Sequence, residues 1–233
     1  MELPFMRRKE EPLAGWFGKL PSVGDFVGRG LPAALCELIH GWIAEGVAEL
    51  PRQVGEDWRD AYQLAPLWHF AMTPGIWEAR ALLGCVAPSV DRVGRCSPVI
   101  ALRTVHAENL ELYLPPRSQW LHEVDALLRR AIAGSSAPDA VQYALESASV
   151  REGAADADTE SAGEILAELG ISGSVKPGTY LSWPNLVQIF RERPRRSFWW
   201  CERSPREPPR QVTHSGDPDA DLFVLLLSVR REA

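Results

Sequence analysis

The sequence predicts an α/β protein, a three-layer αβα sandwich with a mixed sheet, and three observations point there. Apolar residues recur with a helical period over one long stretch, Leu35 through Leu50. Short apolar runs at 13–20, 79–87, 97–105 and 197–201 are strand-like. The two kinds of segment are interspersed with no repeat of 20–50 residues, which favours two helical layers over one sheet.

Residues 1–12 are charged, aperiodic and end in Glu10-Glu11-Pro12, the pattern of a flexible N-terminal arm. A single domain over 13–233 is expected to follow. Leu13 to Leu20 reads as a strand, stopped by the turn chemistry of Pro21-Ser22-Val23-Gly24-Asp25. From Pro32, Leu35, Leu38, Ile39, Trp42, Ile43, Val47 and Leu50 mark an amphipathic helix, with Pro32 in its first turn and Pro51 just past its end. Residues 56–77, rich in aromatics and broken by Pro66 and Pro74, predict a short helix and an irregular packed segment.

Ala79–Ala87 and Ser97–Val105 read as neighbouring buried strands, joined by a loop of mixed charge. Ser118 is placed to cap a helix whose stripe is Leu121, Val124, Leu127, Leu128, Ala131 and Ile132, and Pro138 opens another carrying Val141, Ala144, Leu145 and Ala148. Residues 151–178 read as an exposed acidic insertion, within which Ile165, Leu166 and Leu169 suggest a short helix. Ser197–Cys201 is a strand, a Pro/Arg-rich stretch runs from Glu202 to Pro209, and Asp217-Pro218 introduces a terminal helix with Leu222, Leu225 and Leu226.

Composition narrows the function classes. The 233 residues are 45% hydrophobic and 24% charged, which fits an ordinary globular domain and excludes disordered or collagen-like chains. With 25 Lys+Arg against 31 Asp+Glu the net charge is −6, which offers no broad attraction to phosphate, so nucleic acid is not an expected partner. The longest apolar run, Leu222 to Leu227, is six residues and far short of a membrane span. No signal-peptide h-region follows the basic start, and a cytoplasmic location without membrane insertion is expected. Nine Trp and 19 Pro stand out and suggest fixed turns and large packed rings.

Known chemistry signatures fail one by one. Gly24-Asp25-Phe26-Val27-Gly28-Arg29-Gly30 lacks both phosphate-loop spacings, and no G-x-S-x-G elbow occurs. His122-Glu123 begins a zinc-peptidase pattern, yet Ala126 stands where the second histidine belongs. Cys36, Cys85, Cys96 and Cys201 include no C-x-x-C, so no metal and no cofactor are expected. The best enzyme alternative, a small cysteine-dependent hydrolase or transferase, uses Cys96 as nucleophile, Arg95 to depress its pKa, and His106 or His69 as base.

Gly15-Trp16-Phe17-Gly18-Lys19-Leu20-Pro21-Ser22-Val23-Gly24-Asp25-Phe26-Val27 resembles the opening signature of the TagF family of type VI secretion-associated proteins. Gly30-Leu31-Pro32 before the long helix, Ser89 to Arg95 with Ser97-Pro98, and Ser197-Phe198-Trp199-Trp200 resemble later family features in the same order. Gly18, Lys19, Pro21, Gly24, Phe26, Gly94, Trp199 and Trp200 are the motif positions that carry this likeness. The resemblance implies a three-layer α/β sandwich, a cytoplasmic protein of a Gram-negative bacterium, and no catalysis. It further implies a post-translational repressor of secretion that binds the forkhead-associated scaffold protein of the system. Asp25, Arg29, Asp91 and Arg95, on loops between strands and helices, are then the candidate partner contacts. Asp25 and Asp91 can equally bond loop amides, with the arginines paired to them.

Overall fold

In the computed structural model the described residues are 13–107, 119–134, 136–149, 194–202 and 209–229. The expected N-terminal arm, the acidic stretch at 151–178, the Ser118 cap and most of the Pro/Arg-rich stretch lie outside them. Along the chain run β1 (Ala14–Gly18), β2 (Val27–Arg29), α1 (Ala33–Val54), α2 (Trp58–Gln63), β3 (Trp68–Met72), β4 (Ala81–Ala87) and β5 (Val99–Val105). α3 (Gln119–Gly134), α4 (138–149), β6 (Arg196–Cys201), β7 (Arg210–Ser215) and α5 (Ala220–Leu226) complete the set.

The strands form one seven-stranded sheet in the order β2-β1-β5-β4-β3-β6-β7, and every neighbouring pair is antiparallel. The expectation of a mixed sheet is therefore corrected. Its physical reason is the connections: β1–β2, β3–β4, β4–β5 and β6–β7 are each joined by a short link that reverses direction, whereas a parallel pair needs a crossover of a dozen residues or more.

Alternation along the strands sorts side chains onto two faces. On one face Trp16, Leu83, Cys85, Ala101 and Trp200 pack with Trp120, Leu121, Val124 and Leu128 of α3 and with Val141 and Leu145 of α4. On the other, Phe17, Phe70, Leu82, Ile100 and Trp199 pack with Leu35, Ile39, Trp42 and Ile43 of α1 and with Phe223 and Leu226 of α5. The apolar stripe of α1 thus faces the sheet as its spacing predicts. Indole N–H groups tie α5 down: Trp42 Nε1 donates to the Asp219 carbonyl at 2.9 Å and Trp68 Nε1 to that of Leu226 at 2.7 Å.

Several boundaries differ from expectation. α1 runs through Pro51 to Val54, because a proline in a last turn removes only one N–H bond and its own carbonyl still accepts from Gly55 N at 3.2 Å. Pro32 is the N-cap of α1 and does not lie in its first turn. Asp219 caps α5, its carboxylate accepting from Leu222 N at 2.8 Å, in place of the expected Asp217. β2, β3 and β7 were not expected as strands, and β3 is a central one.

Candidate functional site

Two loops meet at one end of the sheet. The first, 19–26, leaves β1 at Gly18, whose φ of 141° and close approach to β5 exclude a side chain: a Cβ there would stand 2.3 Å from the Pro98 carbonyl oxygen. Pro21 then sits in a tight turn closed by Val23 N donating to the Leu20 carbonyl at 3.0 Å. The second loop, 88–98, is fixed at its base by Tyr62, whose hydroxyl donates to the Ser89 carbonyl at 3.1 Å and accepts from Ser89 N at 3.0 Å.

Asp91 is the hub of this second loop. Its Oδ1 accepts from Val93 N at 3.0 Å and Arg95 N at 2.9 Å, while its Oδ2 accepts from Arg95 Nε and from Lys19 Nζ, the latter at 3.1 Å. Burial by itself pushes this carboxyl up, yet the bonds from Arg95, Lys19 and the Val93 amide outweigh it and hold Asp91 far below the usual carboxylate range. Arg95 Nη2 reaches on to the Gly24 carbonyl, and Arg92 N donates to that of Val23 at 2.8 Å. One buried carboxylate therefore fastens both loops together. Lys19 Nζ also stands 4.8 Å over the Phe26 ring, which stacks on Phe17 and meets His40 edge-on.

The structure brings Gly18, Lys19, Pro21, Gly24, Phe26, Asp91, Gly94 and Arg95 into this knot. Asp25 lies at its surface and bonds the Phe26 amide at 2.8 Å. Arg29 lies apart, on β2, with Nε 2.9 Å from Asp139 of α4. Trp199 and Trp200 are core residues on opposite faces of the sheet.

The cysteine constellation is not assembled. Cys96 packs at the edge of the α1 face, whereas His69 lies on the opposite face beside Trp200. His106 follows the far end of β5, a strand that by itself spans about 20 Å and begins three residues after Cys96. Arg95 is engaged with Asp91, and burial pushes the Cys96 thiol up despite Arg59 and Gln63. A second ionic cluster escaped the sequence altogether: buried His69 has Nε2 3.5 Å from Asp125 of α3, and Asp125 also binds Arg129. Burial raises the Asp125 carboxyl, but its bonds to His69 and Arg129 bring it down to about 2. His69 faces Cys85 across the β3–β4 register, a pairing no local motif signals. Among the described residues no group of three or more His, Cys, Asp and Glu is placed to hold a metal, and no helix is long and apolar enough to cross a membrane.

A family model described as the TagF N-terminal domain, type VI secretion system-associated, matches residues 15–148. No curated protein matches the chain. Among solved structures, the crystal structure of PA0076 from Pseudomonas aeruginosa PAO1 is similar at a TM-score of 0.68 and 26% identity, over 94% of this chain and 96% of that one. Both loops of the knot fall within the span of the family model, which covers more than half of the sequence, and the chain belongs to the TagF family of type VI secretion-associated proteins.

Proposed function

We propose that this chain is a non-enzymatic, post-translational repressor of type VI secretion that acts by binding the forkhead-associated scaffold protein of the system. The observation that carries the reading is the Asp91 knot within the family-matched span: two loops locked into a single surface, with their ionic groups directed at one another and at loop backbone. Locked loops lose little conformational freedom on binding, which suits a protein whose work is recognition. In this reading 13–233 is one domain, its helices cover both faces of the sheet as a three-layer sandwich, and it acts in the cytoplasm of a Gram-negative bacterium without nucleic acid or cofactor.

Repression then follows from mass action. Each scaffold molecule held by the repressor is withdrawn from assembly, and a free repressor concentration about 100 times Kd holds about 99% of it. The test is a calorimetric titration of the full chain with the forkhead-associated protein of its own gene cluster, paired with a secretion assay in a deletion strain. Binding together with raised secretion in the deletion strain is expected. Absence of binding at concentrations on the order of tens of micromolar, or unchanged secretion, defeats the reading.

A further inference from the structure

We infer that the turn Arg92-Val93-Gly94-Arg95 is the docking knob of this protein, and that it fits an acidic partner surface bearing a small apolar recess. The inference rests on the binding role proposed above and adds to it a place and a chemistry.

The turn is locked from inside and from behind. Inside it, Gly94 N donates to the Asp91 carbonyl at 2.9 Å, Asp91 N to that of Arg95 at 3.1 Å, and Gly94 takes the positive φ of 83° that closes the turn. Behind it, the Asp91 carboxylate and the Arg92 N–H fix its base to the 19–26 loop. Its apex therefore reaches a partner already in one conformation.

At that apex Val93 is 69% exposed, an apolar side chain in a turn that uses only its amide. That bond does not call for a valine, since any residue but proline supplies the same N–H. Arginines flank it on both sides, and both are exposed. Arg92 makes no ion pair among the described residues and lies against Gly24, where a Cβ would stand 3.4 Å from its Nη2. Arg95 uses Nε and Nη2 for the knot while its side chain stays 61% exposed.

Charge sets the kind of partner. Around the knob Lys19, Arg92 and Arg95 stand against Asp91 and Asp25, three cations to two carboxylates, on a chain whose net charge is −6. A locally positive projection on a negative protein orients it toward an acidic surface and disfavours its other faces. The two arginines then supply the anchors, and Val93 between them fills an apolar recess and keeps water from their contacts.

The test titrates the full chain against the forkhead-associated protein of its gene cluster, using Arg92→Glu, Val93→Asp and, as a control at the opposite end of the sheet, Arg195→Ala, whose exposed side chain reaches Gly75 and Asp217. Urea unfolding of each variant checks the fold, and Arg92→Ala and Val93→Ala replace any variant that unfolds early. Arg92→Glu and Val93→Asp are each expected to weaken binding at least ~30-fold, the alanine versions ~5-fold, and Arg195→Ala less than ~2-fold. Raising salt is expected to weaken the wild type and to affect Arg92→Ala less. If the wild type binds and the knob variants bind within ~2-fold of it, the knob is wrong while the repressor reading stands. If the wild type itself does not bind, the repressor reading falls and the knob with it.

Discussion

The Lys19 ammonium lies 3.1 Å from the Asp91 carboxylate, across 72 residues of sequence, with the two side chains only 9% and 0% exposed. Such a pair gains little net stability over an apolar replacement, but breaking it from one side strands a charge. Asp91 carries two backbone amides and Arg95 besides Lys19, so the two partners are not equivalent. Asp91→Ala is expected to cost about 3–5 kcal/mol, and Lys19→Met clearly less, because Arg95 still neutralises the carboxylate. Urea unfolding measures both, and the double variant is expected to be more stable than the sum of the singles predicts. Equal costs for the two single variants would contradict the asymmetry.

Two glycines of α1 make opposite predictions for the same substitution. A Cβ at Gly46 would stand 2.0 Å from the Phe223 ring of α5, whereas one at Gly41 meets nothing within 4 Å. Gly41→Ala removes the helical penalty of glycine and is expected to stabilise by up to about 1 kcal/mol. Gly46→Ala pushes α5 off α1 and is expected to destabilise by about 1–3 kcal/mol or more. Thermal melts of the two variants read the signs directly, and a stable Gly46→Ala protein would mean that α5 does not seat on α1 as described.

These contacts show which parts of the fold the sequence carries and which it does not. α1 is legible because one face is buried and the other wet, so its apolar spacing survives. β4 is legible as an apolar run interrupted only by Gly84, and β5 as one interrupted only by Arg103 and Thr104. β3 is all buried, five residues between Pro66 and Pro74, and with no polar face it lacks a strand period. β7 fails for the opposite reason: Arg210-Gln211-Val212-Thr213-His214-Ser215 is an edge strand, and its polar side chains resemble a loop. In the knot, the bonds from Asp91 to the Val93 and Arg95 amides are local and can be anticipated from residue types. The Lys19–Asp91, Arg29–Asp139 and His69–Asp125 pairs arise from tertiary contact and have no signature in sequence spacing.

Acid should loosen α3. The Asp125 carboxyl sits at about 2 in the folded protein, below its ordinary value, so the unfolded chain takes up the proton first as pH falls. The stabilisation is therefore complete above about pH 4 and is lost on the way down to about 2. With Asp125 18% exposed and its Arg129 partner 60% exposed, the contribution is about 1–2 kcal/mol after solvent screening. Urea midpoints of the wild type and Asp125→Asn at pH 6 and pH 3 test this. The gap between them is expected to shrink at pH 3, and a gap that stays constant would remove Asp125 from the acid response.

Thiol labelling separates the recognition reading from the cysteine-enzyme alternative. Burial raises Cys85 well above an ordinary thiol, with Asp125 adding to the effect, and raises Cys36 together with Glu37. Cys96 is raised as well, since Arg59 and Gln63 offset its burial only in part. The reactive species is the thiolate, so none of these three thiols is activated at neutral pH. Cys36 and Cys96, half-buried, are expected to label slowly at pH 7 and faster as pH rises, while Cys85 and Cys201 stay silent until denaturant opens the core. A nucleophilic Cys96 would instead label first and rapidly at pH 6, where an ordinary thiol is inert, and that single result would restore the enzyme alternative over the geometry that separates Cys96 from His69 and His106.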